Sequence, residues 1–162
     1  MKHTHRKYVK TGFLLAGFAV ALGAFGSHWL KKLLDEQSLN TFEIGIRYQM
    51  IHALALIILG LNHRKFNETK LNIALWMMIL GIILFSGSLY LLATRNLWGN
   101  ESFSFIGAIT PLGGLLFILS WLILFFSGFS NSEKHNTEKE DFEEVKEKKR
   151  HRSRKSTDNP TE

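Results

Sequence analysis

Four long apolar runs fill most of the chain, and a polar stretch follows them: Thr11–Leu30, Ile44–Leu61, Leu71–Thr94 and Phe105–Phe129, then residues 130–162. Each run is within the roughly 17–25 residues that an α-helix needs to cross the hydrocarbon core of a bilayer. No water is available there, so every backbone N–H and C=O must be bonded inside the segment, and a helix does this. The pattern therefore predicts an all-α integral membrane four-helix bundle. Residues 1–10 form a basic N-terminus, 11–129 the bundle, and 130–162 a disordered charged tail. The first run, with Met1–Lys10 ahead of it and small residues at its end, also has the order of a secretory signal peptide. It is longer than the roughly 7–15 apolar residues of such a segment, so retention as a span is expected and cleavage near Ser27 is not.

Composition alone hides this division. The mean hydropathy of +0.01 and the 46% hydrophobic residues would suit a soluble protein. In the tail, Phe142 and Val145 are almost the only apolar residues, too few to form a core. Glu144 and Lys148 stand four apart, the favourable order for a helical ion pair within Glu138–Lys149. The basic run Lys146–Lys155 has the chemistry to meet anionic headgroups or nucleic acid. The acidic run just before it offsets that attraction, so a solvated tail is expected and nucleic acid is not.

The formal charge of +6 sits on residues 1–129, because the tail carries nine basic and nine acidic residues. Lys2, Arg6, Lys7, Lys10, Arg64, Lys65, Lys70 and the basic residues of the tail fall on one side of a four-span topology; Lys31, Lys32, Arg47 and Arg95 fall on the other. Lys and Arg are retained on the cytoplasmic side. A multi-pass protein of the cell membrane with both termini cytoplasmic is expected. The chain has no cysteine, which excludes disulfides, thiol catalysis and cysteine-based zinc sites.

Polar side chains inside a bilayer are costly and mark candidate sites. Here they cluster. His28 closes the first run; Glu43, Arg47, Tyr48, Gln49 and His52 open the second; Ser86, Ser88 and Tyr90 lie late in the third; Thr110 lies early in the fourth, beside Pro111. The four-span topology puts all of them in the outer half of the membrane, with inner halves almost purely apolar. Helical spacing pairs Glu43 with Arg47 and sets Tyr48 and Gln49 beside His52. Pro111 frees the carbonyl of Gly107; either Thr110 partners the freed group or the opening faces a small polar cavity.

Three readings of the cluster compete. It locks helix register through interhelical hydrogen bonds; it is a small-molecule or ion site with proton transfer through His28 and His52; or the two histidines and Glu43 hold a metal, although two histidines of unknown proximity fall short of a metal constellation. No nucleophile–base pair, phosphate loop or metalloprotease motif is present, so neither an enzyme nor a cofactor is expected. Small residues at helical spacing, among them Gly12, Ala16, Gly23 and Ser27, then Gly81 and Gly87, then Gly107, Gly113 and Gly114, suit close helix packing. Trp76, Trp98 and Trp121 are either interface anchors or bundle filler. The expected role is a small transport, ligand-binding or accessory subunit. The alternative is a structural or assembly factor that binds another membrane protein, or a second copy of itself, through small-residue faces.

Four segments carry a resemblance: GAFGSHWLKKLL (Gly23–Leu34), FEIGIRYQMIHALALIILG (Phe42–Gly60), LFSGSLYLLA (Leu84–Ala93) and GAITPLGGLLFILSW (Gly107–Trp121). In order and content they resemble the family called domain of unknown function 423, which includes the transmembrane protein 256-like proteins. The resemblance covers about residues 11–129 and implies a four-helix membrane protein without an established activity. The family motif falls here on Gly26, His28, Tyr48, Gln49, His52, Ser86, Gly87, Ser88, Tyr90, Thr110, Pro111 and Gly113. Ser27 stands where the family usually has Ala, and Ile44–Gly45 where Thr-Ala is common; the tail lies outside the family pattern.

Overall fold

The computed structural model describes residues 2–98, 106–128, 142 and 144–148. Its helices are α1 (Lys2–His28), α2 (Glu36–Leu61), α3 (Glu68–Gly81), α4 (Gly87–Thr94) and α5 (Ile106–Gly128). A π-helical stretch, Ile82–Ser86, joins α3 to α4, and the continuous rod Glu68–Leu97 makes one span. With His5–Lys32, Glu36–Leu61 and Ile106–Ser127 it makes four segments long and apolar enough to cross a membrane.

Helix starts explain where the elements exceed the apolar runs. α2 begins at Glu36, eight residues before Ile44. Asp35 caps it: Oδ1 accepts the Ser38 backbone N–H at 2.8 Å and Oδ2 accepts the Ser38 hydroxyl at 2.8 Å. The cap satisfies amide groups that a helix start otherwise leaves open, and the carboxylate suits the positive end of the helix dipole. Leu39 and Phe42 in this added stretch pack with Leu30 and Ala93 into a small cluster at one end of the bundle. Asn67 caps α3 in the same way, accepting the Lys70 N–H at 3.2 Å.

Packing follows the small residues. α1 lies antiparallel on α2, with Gly12 so near that a Cβ there would stand 2.8 Å from the Ala53 carbonyl oxygen. The third span and α5 close in around Gly81 and Gly113; a Cβ on Gly113 would meet the backbone of Phe85. The main core joins Tyr8, Leu56, Leu71, Leu75, Met78, Phe117 and Leu124. Phe13, Leu14, Phe18, Ile51, Ile58, Phe125 and Phe126 are exposed on the outside. An apolar belt of that extent would be a liability in water and is the matched surface in lipid.

The start of α1, the α2–α3 turn and the end of α5 share one end of the bundle. Gly60 packs against His5 and Val9, and Tyr8, Leu71 and Leu124 meet in one cluster. Arg6, Lys7, Lys10, Arg64, Lys65 and Lys70 are all exposed there and make it the basic end of the bundle.

Candidate functional site

The buried face of α2 presents Gln49 and His52, and each is bonded across the bundle. Gln49 links three spans. Its Nε2 donates to the Leu15 carbonyl of α1 at 2.8 Å, and its Oε1 accepts the Tyr90 hydroxyl of α4 at 3.0 Å. Tyr90 reaches it because Gly45 leaves room for the Tyr90 ring.

His52 is 3% exposed. Its Nδ1 lies 2.8 Å from the Tyr48 carbonyl, and the Trp121 indole N–H points at its Nε2 from 3.2 Å. A carbonyl only accepts and an indole N–H only donates. The ring is therefore the neutral tautomer with its proton on Nδ1, donating to Tyr48 and accepting from Trp121. The Phe117 ring stacks on it at 3.5 Å, with the planes 11° apart. Phe85 of the π-helical stretch lies 4.6 Å from Tyr48, centroid to centroid, completing an aromatic layer between α2 and α5.

The third and fourth spans share a further link. Ser88 donates to the Phe85 carbonyl at 2.9 Å, and its hydroxyl is 2.7 Å from that of Thr110. A serine has one hydroxyl proton, so Thr110 is the donor of the second bond. Thr110 thus partners a side chain of the third span and not a carbonyl freed by Pro111. Ser86 is fully buried, and its hydroxyl has no partner among the described residues.

Of the residues singled out from the sequence, Tyr48 and His52 share the aromatic layer, Gln49 is bonded to Tyr90, and Ser88 is bonded to Thr110. Ser86 lies in the same π-helical stretch as Phe85. Glu43 and Arg47 do form the expected pair, at 3.4 Å, but on an exposed face apart from the network. His28 is exposed at the end of α1. Some buried polar groups also lie toward the basic end of the bundle, beside the almost purely apolar side chains expected there. His52 is nine residues from Leu61 and sixteen from Glu36, or about 14 Å and about 24 Å along the helix. Nearer the basic end, Ser120 and Ser127 carry buried hydroxyls without partners among the described residues, and His5 is 5% exposed.

His5 belongs to a second cluster that hydropathy passes over, because its members lie at the fringe of the runs. Its ring stacks on His63 at 4.2 Å, its Nε2 is 3.7 Å from Glu68 Oε1, and His63 Nδ1 is 3.1 Å from the Gly60 carbonyl. This ties the start of α1 to the α2–α3 turn. Trp121 is the other residue whose role was open: half-exposed to the outside, it uses its N–H on His52 and so belongs to the network. Trp76 is exposed and meets Tyr8 edge-on, and the side chain of Trp98 lies outside the described residues.

Chemically, the network is a set of matched donors and acceptors. Proton transfer through His52 requires breaking its bond to Tyr48 or to Trp121. Among the described residues no group of three His, Cys, Asp or Glu side chains is placed to hold a metal ion.

Residues 22–114 match a family described as a protein of unknown function, DUF423. A UPF0382 membrane protein of Staphylococcus haemolyticus is 40% identical over 122 residues, which cover 75% of this chain and 94% of the relative. The UPF0382 membrane protein YwdK of Bacillus subtilis is 39% identical over 118 residues, covering 72% and 91%. One from Haemophilus influenzae is 37% identical over 126 residues, covering 77% and 95%. No solved structure matches the chain.

Proposed function

The chain belongs to the DUF423 family, and from the bond pattern within its bundle we propose that it is a structural or assembly component of the cell membrane and not an enzyme. The observation that carries this is the pairing of Gln49 with Leu15 and Tyr90 and of His52 with Tyr48 and Trp121. Side chains held this way fix which helix faces meet, and hydrogen bonds between spans commonly serve that purpose. A bundle with fixed register presents a constant outer surface of exposed aromatic and aliphatic side chains to another membrane protein or a second copy of itself. Both termini are cytoplasmic in this reading, supported by the six exposed cations at the basic end.

Replacing His52 by Ala tests the role of the network. The change leaves the Trp121 N–H without its acceptor and opens a space beside Phe117. Losing a bond while orphaning its partner costs about 1–3 kcal/mol. The expected outcome is lower unfolding stability in detergent and less protein in the membrane fraction. Unchanged stability and unchanged protein level would contradict it.

One observation favours a second reading, a small-ligand site in the bundle. Ser86 carries a buried hydroxyl with no partner among the described residues, at the end of a π-helical stretch, and such stretches are frequent at functional sites. On that reading, Ser86→Ala alters ligand response with stability intact.

A further inference from the structure

The basic end carries more positive charge than the described structure balances. Arg6, Lys7 and Lys10 on α1, Arg64 and Lys65 in the turn and Lys70 at the start of α3 are exposed, and none is in an ion pair among the described residues. Glu68, the acidic residue among them, lies against His5.

The chain itself supplies a matching surface. α5 ends at Gly128 on this same end, and the acidic run begins ten residues later with Glu138, followed by Glu140, Asp141, Glu143, Glu144 and Glu147, against Lys139 and Lys146. Glu140, Glu143, Glu144 and Glu147 have the spacing of one helix face. Residues 144–148 are helical, with Lys148 paired to Glu144 at 2.6 Å. Ten residues reach at most about 35 Å. Helices are about 10–12 Å across with their side chains, so this span covers the end of a four-helix bundle. A tether also makes docking intramolecular, which favours it without new contacts. The relatives are covered over more than nine-tenths of their length, while about a quarter of this chain falls outside the match.

We propose that the acidic run Glu138–Glu147 docks on the basic end of its own bundle, neutralising the cations of α1 and the α2–α3 turn. The basic stretch that follows, Lys148–Lys155, is then held beside the membrane surface. The docked run covers the same end that anionic headgroups would otherwise contact.

The chain has no cysteine, so a pair introduced at Thr69→Cys and Val145→Cys in the full-length protein is a clean reporter. Both positions are exposed, and neither change alters charge. In neutral-headgroup micelles at low salt, an intrachain disulfide forms under mild oxidation. Its rate falls at least about tenfold when salt rises to about 0.5 M, where exposed charges are screened beyond a few ångströms. It falls equally at low salt in the variant with Glu140, Glu143 and Glu144 changed to Lys. Crosslinking that ignores both salt and charge reversal overturns the proposal, as does crosslinking only between two copies. A tail that crosslinks in no micelle but is protected from protease by phosphatidylglycerol vesicles overturns it in favour of a lipid contact.

Discussion

Replacing Gly113 by Ala puts a methyl group where the third and fourth spans touch. The ideal Cβ would lie 2.8 Å from the Phe85 Cα and close to the Phe85 backbone nitrogen. These are backbone atoms of the π-helical stretch, so no rotamer change makes room, and one span has to shift against the other. Overpacking of this kind costs about 1–3 kcal/mol. Ala is favoured over Gly inside a helix by about 0.5–1 kcal/mol, which partly offsets the loss. Gly17 is the matched control: it also lies inside a helix, and a Cβ there meets nothing within 4 Å. Gly17→Ala therefore gains the propensity term alone, and the difference between the two variants isolates the steric cost. Equilibrium unfolding in detergent micelles reads both. The expected result is Gly113→Ala below the parent protein and Gly17→Ala at or above it. Equal effects of the two changes would refute the close approach of Gly113 to Phe85.

Two further predictions concern the cap of α2 and the topology. Ser38 N–H and hydroxyl bonds hold the Asp35 carboxyl below the usual carboxylate value. A lowered carboxyl contributes stability that is fully present above its unfolded value and is lost as pH falls through its folded one. Unfolding stability should therefore decline on acidification into that low range. In Asp35→Asn, which keeps an oxygen for the Ser38 N–H, the decline should be smaller; identical pH profiles would count against the cap. A reporter fused after Glu162 should read out as cytoplasmic, and an external signal would reverse the topology.

The spans were readable from hydropathy because lipid imposes one requirement on the whole segment. Their true starts were not: Glu36 opens α2 because Asp35 caps it, a local signal that hydropathy does not register, and because Phe42 finds Leu30 and Ala93, which come from other elements. The same holds for the site. Cost pointed to Gln49 and His52, and helical spacing identified the Glu43–Arg47 pair. That Gln49 joins Leu15 to Tyr90, 34 and 41 residues away, is a tertiary fact. The sequence leaves Trp121 open between anchor and bundle filler because an indole suits an interface as well as a core; only its 3.2 Å bond to His52 decides between them. His5 and His63 escaped notice because each is an unremarkable polar residue at the fringe of a run, and their stacking appears only when α1 folds over the α2–α3 turn.

The central claim is that the buried polar side chains hold the spans to one another. A double-mutant cycle on Gln49 and Tyr90 tests it most directly, with Gln49→Leu, Tyr90→Phe and the combined variant compared by equilibrium unfolding. If the 3.0 Å bond joins the second span to the third as described, the two losses are not additive. The coupling energy is then about 0.6 kcal/mol, the average for hydrogen bonds between membrane helices, and at most about 1.7 kcal/mol. A coupling of zero, with each single change leaving stability unaltered, would contradict the account.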